Sequence, residues 1–210
     1  MSRYGAHVLP RLTRLWLGGG LLAAHRSALL AQVGGRVLEV GIGSGTSLPH
    51  YPGGVRHLVG LDVSAAALRM ASRRNRASFP VALVRGSIDQ PSLKDKSFDF
   101  VVTTWLLCLL PDPVLAIERI RGLLVPGGKL VFIEHGLAGT ATAAMLQSFL
   151  TPATTRLCGG CQLNRRIDHL ISDAGFRLEH LQNRRLDPFG LLTLYAGSAV
   201  CDAAPAAGAG

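Results

Sequence analysis

The chain has 210 residues, which suits one domain of ordinary size and is long enough to bury a sizeable hydrophobic core. Hydrophobic residues make up 48% of it and charged residues 17%, a composition that excludes an intrinsically disordered or fibrous protein. No stretch approaches about 18 uncharged apolar residues, so the sequence predicts no transmembrane helix. The net charge of +9 predicts an affinity for anions, such as phospholipid, nucleic acid or an acidic small molecule. A solvated arginine-rich face without a partner is the alternative.

The first 34 residues have the pattern of a basic amphipathic segment. Leu9, Leu12 and Trp16 recur at helical spacing, arginines lie between them, and the first acidic residue is Glu39. We expect residues 1–34 to form a helical lid segment that contacts anionic membrane surfaces, in preference to a cleaved leader peptide.

Beyond this segment, short apolar runs alternate with stretches of helical periodicity. The predicted strands cover residues 37–40, 57–61, 81–84, 98–103 and 129–133, and the predicted helices cover residues 64–75, 113–124 and 165–174. A helical stretch over residues 141–150 is expected to break at Thr151 and Pro152. Two later apolar runs, residues 176–181 and 190–198, predict an antiparallel pair of strands.

Strands that alternate with helices predict an α/β fold in which a doubly wound, mostly parallel sheet carries helices on both faces. The five alternating strands and the later pair make seven strands, with an antiparallel strand at the C-terminal end. We expect this domain to cover residues 35–200. Residues 201–210, which are rich in alanine and glycine, are expected to form a disordered tail.

A glycine-rich loop follows the first predicted strand, with glycines at alternate positions Gly41, Gly43 and Gly45. Glycine permits positive φ and a close approach of ligand to backbone, and N–H groups at the start of the following short helix suit an anionic or strongly polar group. The second predicted strand leads to Asp62, a position suited to accept hydrogen bonds from both ribose hydroxyls of a nucleoside. The third glycine of the G-x-G-x-x-G dinucleotide pattern is missing, which argues against a nicotinamide dehydrogenase.

Cys158 and Cys161 have C-x-x-C spacing. No second C-x-x-C or H-x3-H pair exists to complete a structural zinc site, so we expect no metal centre. A loop with one useful thiol is the preferred interpretation and a redox pair the alternative. Cys108 lies in an apolar run and is expected in the core.

The glycine loop resembles the first motif of the class I S-adenosylmethionine (SAM) methyltransferases that have a methyltransferase type 11 domain. Further matches follow in the family's order at residues 86–88, 97–102 and 123–128. The resemblance implies a Rossmann-like fold, SAM as the cofactor, and a set of cofactor-binding residues. These are Glu39, Gly41, Gly43, Gly45, Asp62, Val63, Ser87, Ile88 and Thr103. For Glu39, a buried acid that ties the loop together is the alternative.

A finer resemblance concerns the acceptor. Residues 48–52, 107–108, 134–135 and 160–165 resemble the methyltransferase-like thiol S-methyltransferases, and residues 47–49 the bacterial phosphatidylethanolamine N-methyltransferases. The resemblance implies methyl transfer to a thiol, amine or hydroxyl of a small, apolar or lipid-like acceptor. His135 is the candidate catalytic base, with a structural histidine as the alternative. The candidate substrate-pocket residues are His50, Tyr51, Trp105 and Cys161.

Other functions stay open at this point. The positive charge would suit a nucleic-acid methyltransferase, but residues 103–106 lack the Asn/Asp-Pro-Pro-aromatic motif of the enzymes that methylate DNA amino groups. A catalytically silent SAM-binding protein is a further alternative. We expect a cytoplasmic enzyme without a nucleic-acid partner, and we leave open peripheral contact with anionic membranes.

Overall fold

The computed structural model describes residues 20–90 and 93–201, which form one seven-stranded sheet flanked by helices. The strands are β1 (Gly35–Val40), β2 (Val55–Asp62), β3 (Val81–Arg85), β4 (Phe98–Thr104), β5 (Leu124–Gly136), β6 (Phe176–Arg185) and β7 (Thr193–Cys201). The helices are α1 (Gly20–Leu30), α2 (Ala65–Arg74), α3 (Pro113–Leu123), α4 (Ala141–Leu157) and α5 (Ile167–Asp173), and a 3₁₀ turn covers Leu48–His50.

The order of the strands across the sheet is β3-β2-β1-β4-β5-β7-β6. The first five strands pair in parallel, and β7 runs antiparallel to both β5 and β6. This is the Rossmann-like α/β sheet that the sequence predicts. Strand order reverses between β1 and β4, and ligands of such sheets bind beside this switch point at the carboxyl ends of the strands.

Two hydrophobic clusters fill the two faces of the sheet. Successive residues of β1 point to opposite sides, since Leu38 packs with α3 and α5 while Val37 packs with α1 and α2. Leu30 of α1 is fully buried in the second cluster. Residues 20–30 are therefore part of the packed domain, whereas the rest of the predicted lid, residues 1–19, lies outside the described residues.

Local sequence signals explain where two of the helices begin. The Ser64 hydroxyl accepts a hydrogen bond from the Ala67 N–H at 3.2 Å and caps α2. The Asp112 carboxylate accepts one from the Leu115 N–H at 3.0 Å and caps α3, whose first residue is a proline.

The predicted break at Thr151 and Pro152 was wrong, because α4 continues through both residues to Leu157. Because proline has no N–H, the Ser148 carbonyl lacks its helical partner. Ser148 and Pro152 are both exposed, so this carbonyl can bind water instead. In the same turn, the Thr151 hydroxyl donates to the Gln147 carbonyl at 2.8 Å.

The two ends of the described chain bear on two further predictions. Cys201, assigned from the sequence to the tail, is a buried residue of β7, while residues 202–210 lie outside the described residues. Within the part of the chain that the structure describes, no helix combines the length and apolar character needed to cross a bilayer.

Candidate active site

The loop after β1 holds three glycines in the left-handed region, with φ of +71° at Gly41, +55° at Gly43 and +73° at Gly45. Two of them are packed against protein: a Cβ on Gly41 would lie 2.9 Å from Leu106, and one on Gly45 would lie 2.8 Å from Leu48. A Cβ on Gly43 would have the Gly41 carbonyl oxygen, at 3.8 Å, as its nearest neighbour. Gly43 therefore faces open space beside the switch point, where a ligand can approach the backbone.

Asp62, the last residue of β2, supports this loop with its carboxylate. One carboxylate oxygen accepts the Gly43 N–H at 2.9 Å and the other accepts the Ser64 N–H at 2.8 Å. Burial raises the pKa of Asp62, and these two backbone hydrogen bonds oppose the rise. Because an ionised carboxylate has about four acceptor positions, about two remain for hydroxyl donors of a ligand.

Glu39 lies beneath the loop as a fully buried acid. Its Oε2 accepts the Tyr51 hydroxyl at 3.1 Å. Burial raises the pKa of Glu39 to about 7, although the Ser47 and Tyr51 hydroxyls and the Arg26 guanidinium lower it. Arg26 comes from α1 and is only 2% exposed. The cluster of Arg26, Glu39 and Tyr51 therefore ties α1 to the glycine loop.

A buried acid also organises the segment that follows β4, residues 105–110. The two oxygens of Glu134 accept the Leu106 N–H at 3.1 Å and the Cys108 N–H at 3.3 Å. Burial raises the pKa of Glu134 to about 7, against the effect of these backbone hydrogen bonds. Trp105 has φ of +56°, a strained conformation for a residue with a side chain. The acid therefore holds a segment whose backbone is bent sharply at its first residue.

Arg165 holds the same segment from its carbonyl side. Its guanidinium donates to the Leu107 carbonyl and, at 2.5 Å, to the Leu110 carbonyl. Burial lowers the pKa of Arg165, and nearby thiols and acids oppose this effect. Because Glu134 binds N–H groups and Arg165 binds C=O groups of residues 105–110, the segment has a defined shape at the carboxyl end of β4.

His135, near the end of β5, contacts two partners through its ring. Its Nε2 lies 2.9 Å from the Leu191 carbonyl oxygen, and since a carbonyl can only accept, Nε2 carries a proton. Its Nδ1 lies 3.7 Å from Cys161 Sγ. Burial lowers the pKa of His135, but the hydrogen bonds to Cys161 and Leu191 outweigh it and leave that pKa above its ordinary value. Both ring nitrogens are therefore engaged.

Comparison with known proteins decides the family. A family model described as a methyltransferase domain matches residues 38–132, from β1 to most of β5. A phosphatidylethanolamine N-methyltransferase from Cereibacter sphaeroides is 31% identical over 175 residues, which cover 81% of this chain and 81% of that relative. The chain belongs to the class I SAM-dependent methyltransferases. The family that the motifs indicate is thereby confirmed.

Two further proteins place this methyltransferase among its relatives. The human thiol S-methyltransferase TMT1A is 29% identical over 154 residues, which cover 70% of this chain and 63% of that protein. The N-methyltransferase NodS of Bradyrhizobium japonicum, solved with S-adenosyl-L-homocysteine, superposes with a TM-score of 0.70. At 19% identity, over 93% of this chain and 97% of NodS, that superposition shows a shared fold.

The residues at the switch point fit SAM, the cofactor of this family. Gly43 leaves space that any side chain would occupy, and Asp62 retains acceptor capacity beside it. The dehydrogenase interpretation is therefore excluded, because the family and the loop both indicate SAM.

The methyltransferase fold places the remaining predicted site residues in different surroundings. Val63 is 48% exposed just after β2, and the Ser87 hydroxyl donates to Asp89 at 3.1 Å. Ile88 and Thr103 are buried, in the core and near the end of β4 respectively.

His50 lies 2.7 Å from the Ser27 hydroxyl, and Tyr51 is 8% exposed against Glu39. The structure thus brings Trp105, His135 and Cys161 to the ends of β4 and β5, while His50 and Tyr51 lie beside α1 and the glycine loop.

Sequence reasoning gave no role to three residues that organise this site, Arg26, Glu134 and Arg165. Glu134 and Arg165 lie within segments that carry the finer resemblance, but a motif match does not reveal which backbone groups a side chain binds. No sequence signal marks Arg26, since its partners are far along the chain. Among the described residues, no three His, Cys, Asp or Glu side chains form a group that could hold a metal ion.

Proposed function

We propose that this methyltransferase methylates the sulfur of a small apolar thiol, within the wider class of small apolar or lipid-like acceptors that bear a thiol, amine or hydroxyl. The observation that carries the proposal is the engagement of both ring nitrogens of His135, by Leu191 and by Cys161. A hydroxyl acceptor needs a base to take its proton, and His135 has no ring nitrogen to spare. A thiol with a pKa of about 8.5 ionises by itself to a useful extent at neutral pH.

The proposed cofactor site is the glycine loop with the end of β2. SAM supplies an electrophilic methyl group on a sulfonium. We assign the ribose hydroxyls to the acceptor positions that Asp62 retains, and the methionine part to the backbone at Gly43. Glu39 and Thr103 are completely buried, so we assign Glu39 to support of the loop and Thr103 to support of Glu134 instead of direct contact with SAM.

The proposed acceptor site is the surface formed by residues 105–110 together with His135 and Cys161. The side chains of Leu106, Leu109 and Leu110 are half-buried there, and they suit an apolar acceptor. Trp105, also half-buried, packs against the second hydrophobic cluster, whereas Leu106 and Leu110 pack against the first. Glu134 and Arg165 hold this segment in place by hydrogen bonds, so that it can orient the acceptor. Orientation of two reactants lowers the activation free energy by roughly 7–11 kcal/mol relative to free reactants.

A matched series of acceptors tests the proposal. Benzyl mercaptan, benzyl alcohol and benzylamine differ in the reacting atom alone, and transfer from tritiated SAM is measured for each. We expect transfer to the thiol at a rate that rises with pH as the acceptor ionises. Transfer to the alcohol in preference to the thiol would contradict the proposal, since it would require a base that the geometry does not offer.

An amine of a phospholipid headgroup is the second candidate acceptor. The specific observation is the 31% identity to a phosphatidylethanolamine N-methyltransferase over 81% of the chain. The net charge of +9 would then contribute peripheral contact with an anionic bilayer, without a contribution from Arg26, which is buried beside Glu39. Vesicles of phosphatidylethanolamine with and without phosphatidylglycerol test this candidate: methylated headgroup, and co-sedimentation that falls with salt, would favour it over the thiol.

A further inference from the structure

Cys161 lies in a cluster with a second thiol and an imidazole. Its Sγ is 3.7 Å from His135 Nδ1, and it also interacts with the Cys108 thiol. The backbone keeps the two thiol segments together, because the Gln162 N–H donates to the Cys108 carbonyl at 2.9 Å. Gly160 adds to this contact, since a Cβ there would lie 2.9 Å from the Leu109 carbonyl oxygen.

The two thiols of this cluster differ in charge. The Cys108 thiol and His135, helped by Arg165, lower the pKa of Cys161 to about 5 although burial opposes them. The interaction with Cys161 and burial, with the nearby charge of Glu134, raise the pKa of Cys108. The negative charges of Cys161 and Asp187 raise the pKa of His135. At neutral pH the cluster therefore holds one thiolate, on the half-buried Cys161, beside one protonated thiol, on the buried Cys108.

We propose that Cys161 is a peroxide-reactive nucleophile, that Cys108 converts its oxidised form to a disulfide, and that this disulfide blocks the acceptor side of the site. A thiolate next to a second thiol is the arrangement in which oxidation ends in a disulfide instead of in a higher oxide. The C-x-x-C partner, Cys158, is exposed at the end of α4 and has no part in the reaction.

Hydrogen peroxide is the oxidant, and the reaction has two steps. The Cys161 thiolate attacks one peroxide oxygen, the O–O bond breaks, and hydroxide leaves, which gives a sulfenic acid on Cys161. The Cys108 sulfur then attacks the Cys161 sulfur, the S–O bond breaks, and the leaving oxygen takes up the Cys108 proton. One thiolate and one thiol are oxidised to one disulfide, and one peroxide is reduced to one water and one hydroxide, which takes a proton from the solvent.

The disulfide would join residues 105–110 to the loop that carries Cys161. Both lie at the proposed acceptor surface, so the cross-link restricts entry of the acceptor while the glycine loop and Asp62 remain free. This effect on methyl transfer rests on the proposed function, whereas formation of the disulfide does not.

Alkylation of the full chain by iodoacetamide tests the nucleophile. The rate at Cys161, from peptide mass spectrometry, is divided by the rate for N-acetylcysteine in the same solution. From about pH 6 to about pH 8 this ratio should fall about seventyfold, because the thiolate fraction of an ordinary thiol grows while that of Cys161 is already near its maximum. A ratio that stays constant over this range would show an ordinary thiol and overturn the proposal. In His135→Gln, the factor by which this ratio falls between pH 6 and pH 8 should be at least about threefold smaller than in the wild type.

Peroxide treatment followed by peptide mapping tests the disulfide. We expect a cross-link between Cys108 and Cys161 in the wild-type chain and equally in the matched control Cys158→Ser. In Cys108→Ala, dimedone should trap the sulfenic acid on Cys161. A cross-link between Cys158 and Cys161, or no cross-link at all, would overturn the proposal, and neither result requires a mutated protein.

Transfer and binding assays separate this proposal from the proposed function. After oxidation, transfer to benzyl mercaptan should fall at least about tenfold and recover with dithiothreitol, while calorimetry shows unchanged SAM affinity. If the disulfide forms and transfer is unaffected, the blocking effect is wrong. If the reduced protein methylates no thiol, the proposed function is wrong, and the disulfide result stands independently.

Discussion

Substitution of Asp62 separates its support of the loop from its proposed binding of the ribose. Asp62→Ala removes the acceptor of the Gly43 and Ser64 N–H groups, and a hydrogen bond to a charged group contributes about 1.5–3 kcal/mol. The site is only partly buried, so water replaces some of this loss, and the cost of burying the carboxylate also disappears. We therefore expect the free energy of unfolding to fall by about 2 kcal/mol. Asp62→Asn keeps one acceptor oxygen and should lose about half as much.

Asp62→Ala should also lower SAM affinity, by more than its loss of folding stability can explain. Loss of one charge-assisted hydrogen bond to the ribose weakens binding by about ten- to a hundredfold. Urea unfolding measures the first effect and calorimetric titration with SAM the second. Asp112→Ala is the matched control, because it removes a carboxylate that accepts a backbone N–H at the start of α3 and should leave SAM affinity unchanged. A folded Asp62→Ala variant with wild-type affinity for SAM would refute the ribose assignment.

Three further substitutions test other parts of the site. Gly43→Val should lower SAM affinity by at least about a hundredfold in calorimetry, because the valine side chain would enter the open space of the loop. The φ of +55° at this position also suits glycine and strains valine. The pKa of Glu39 is raised to about 7, so protonated Glu39 contributes stability that is fully present below about pH 4.5 and is lost as the pH rises through about 7. Between pH 5 and pH 8, urea unfolding should therefore show that Glu39→Gln loses about 2.5 kcal/mol less stability than the wild type. Arg165→Lys cannot bind the Leu107 and Leu110 carbonyls together, so steady-state kinetics should show a raised acceptor KM while the Kd of SAM stays unchanged.

The proposed cofactor half of the site can be located from the sequence because its residues are close together in the chain. The glycine loop and Asp62 belong to one strand-loop-strand unit whose loop contains a single 3₁₀ turn, so glycine positions and a strand-end acid are sufficient to locate it. The alternative for Glu39, a buried acid that ties the loop to its surroundings, matches its burial and its hydrogen bond from Tyr51. That the same acid faces Arg26 could not be predicted, since the arginine lies in a helix outside this unit.

The cysteines show why sequence spacing is a weak guide to contacts. Cys158 and Cys161 are neighbours in a C-x-x-C pattern, yet Cys161 interacts with Cys108, about fifty residues earlier. The turn through Gly159 and Gly160, both with positive φ, separates the exposed Cys158 from the half-buried Cys161. Core burial of Cys108 follows from its apolar neighbours, but its contact with a thiol depends on how the loop after α4 packs against residues 105–110.

The proposed acceptor half is assembled from three distant segments, and this explains why fold similarity identifies the cofactor more readily than the acceptor. Residues 105–110 supply the surface, Glu134 of β5 binds its N–H groups, and Arg165, which precedes α5, binds its carbonyls. Each buried charge would be costly alone, and each is retained because it meets backbone groups of opposite polarity. A substitution in any one segment changes the shape presented to the acceptor without altering the glycine loop. Relatives that share the sheet and SAM can therefore differ in acceptor, and the choice of acceptor depends on side chains that only the folded chain brings together.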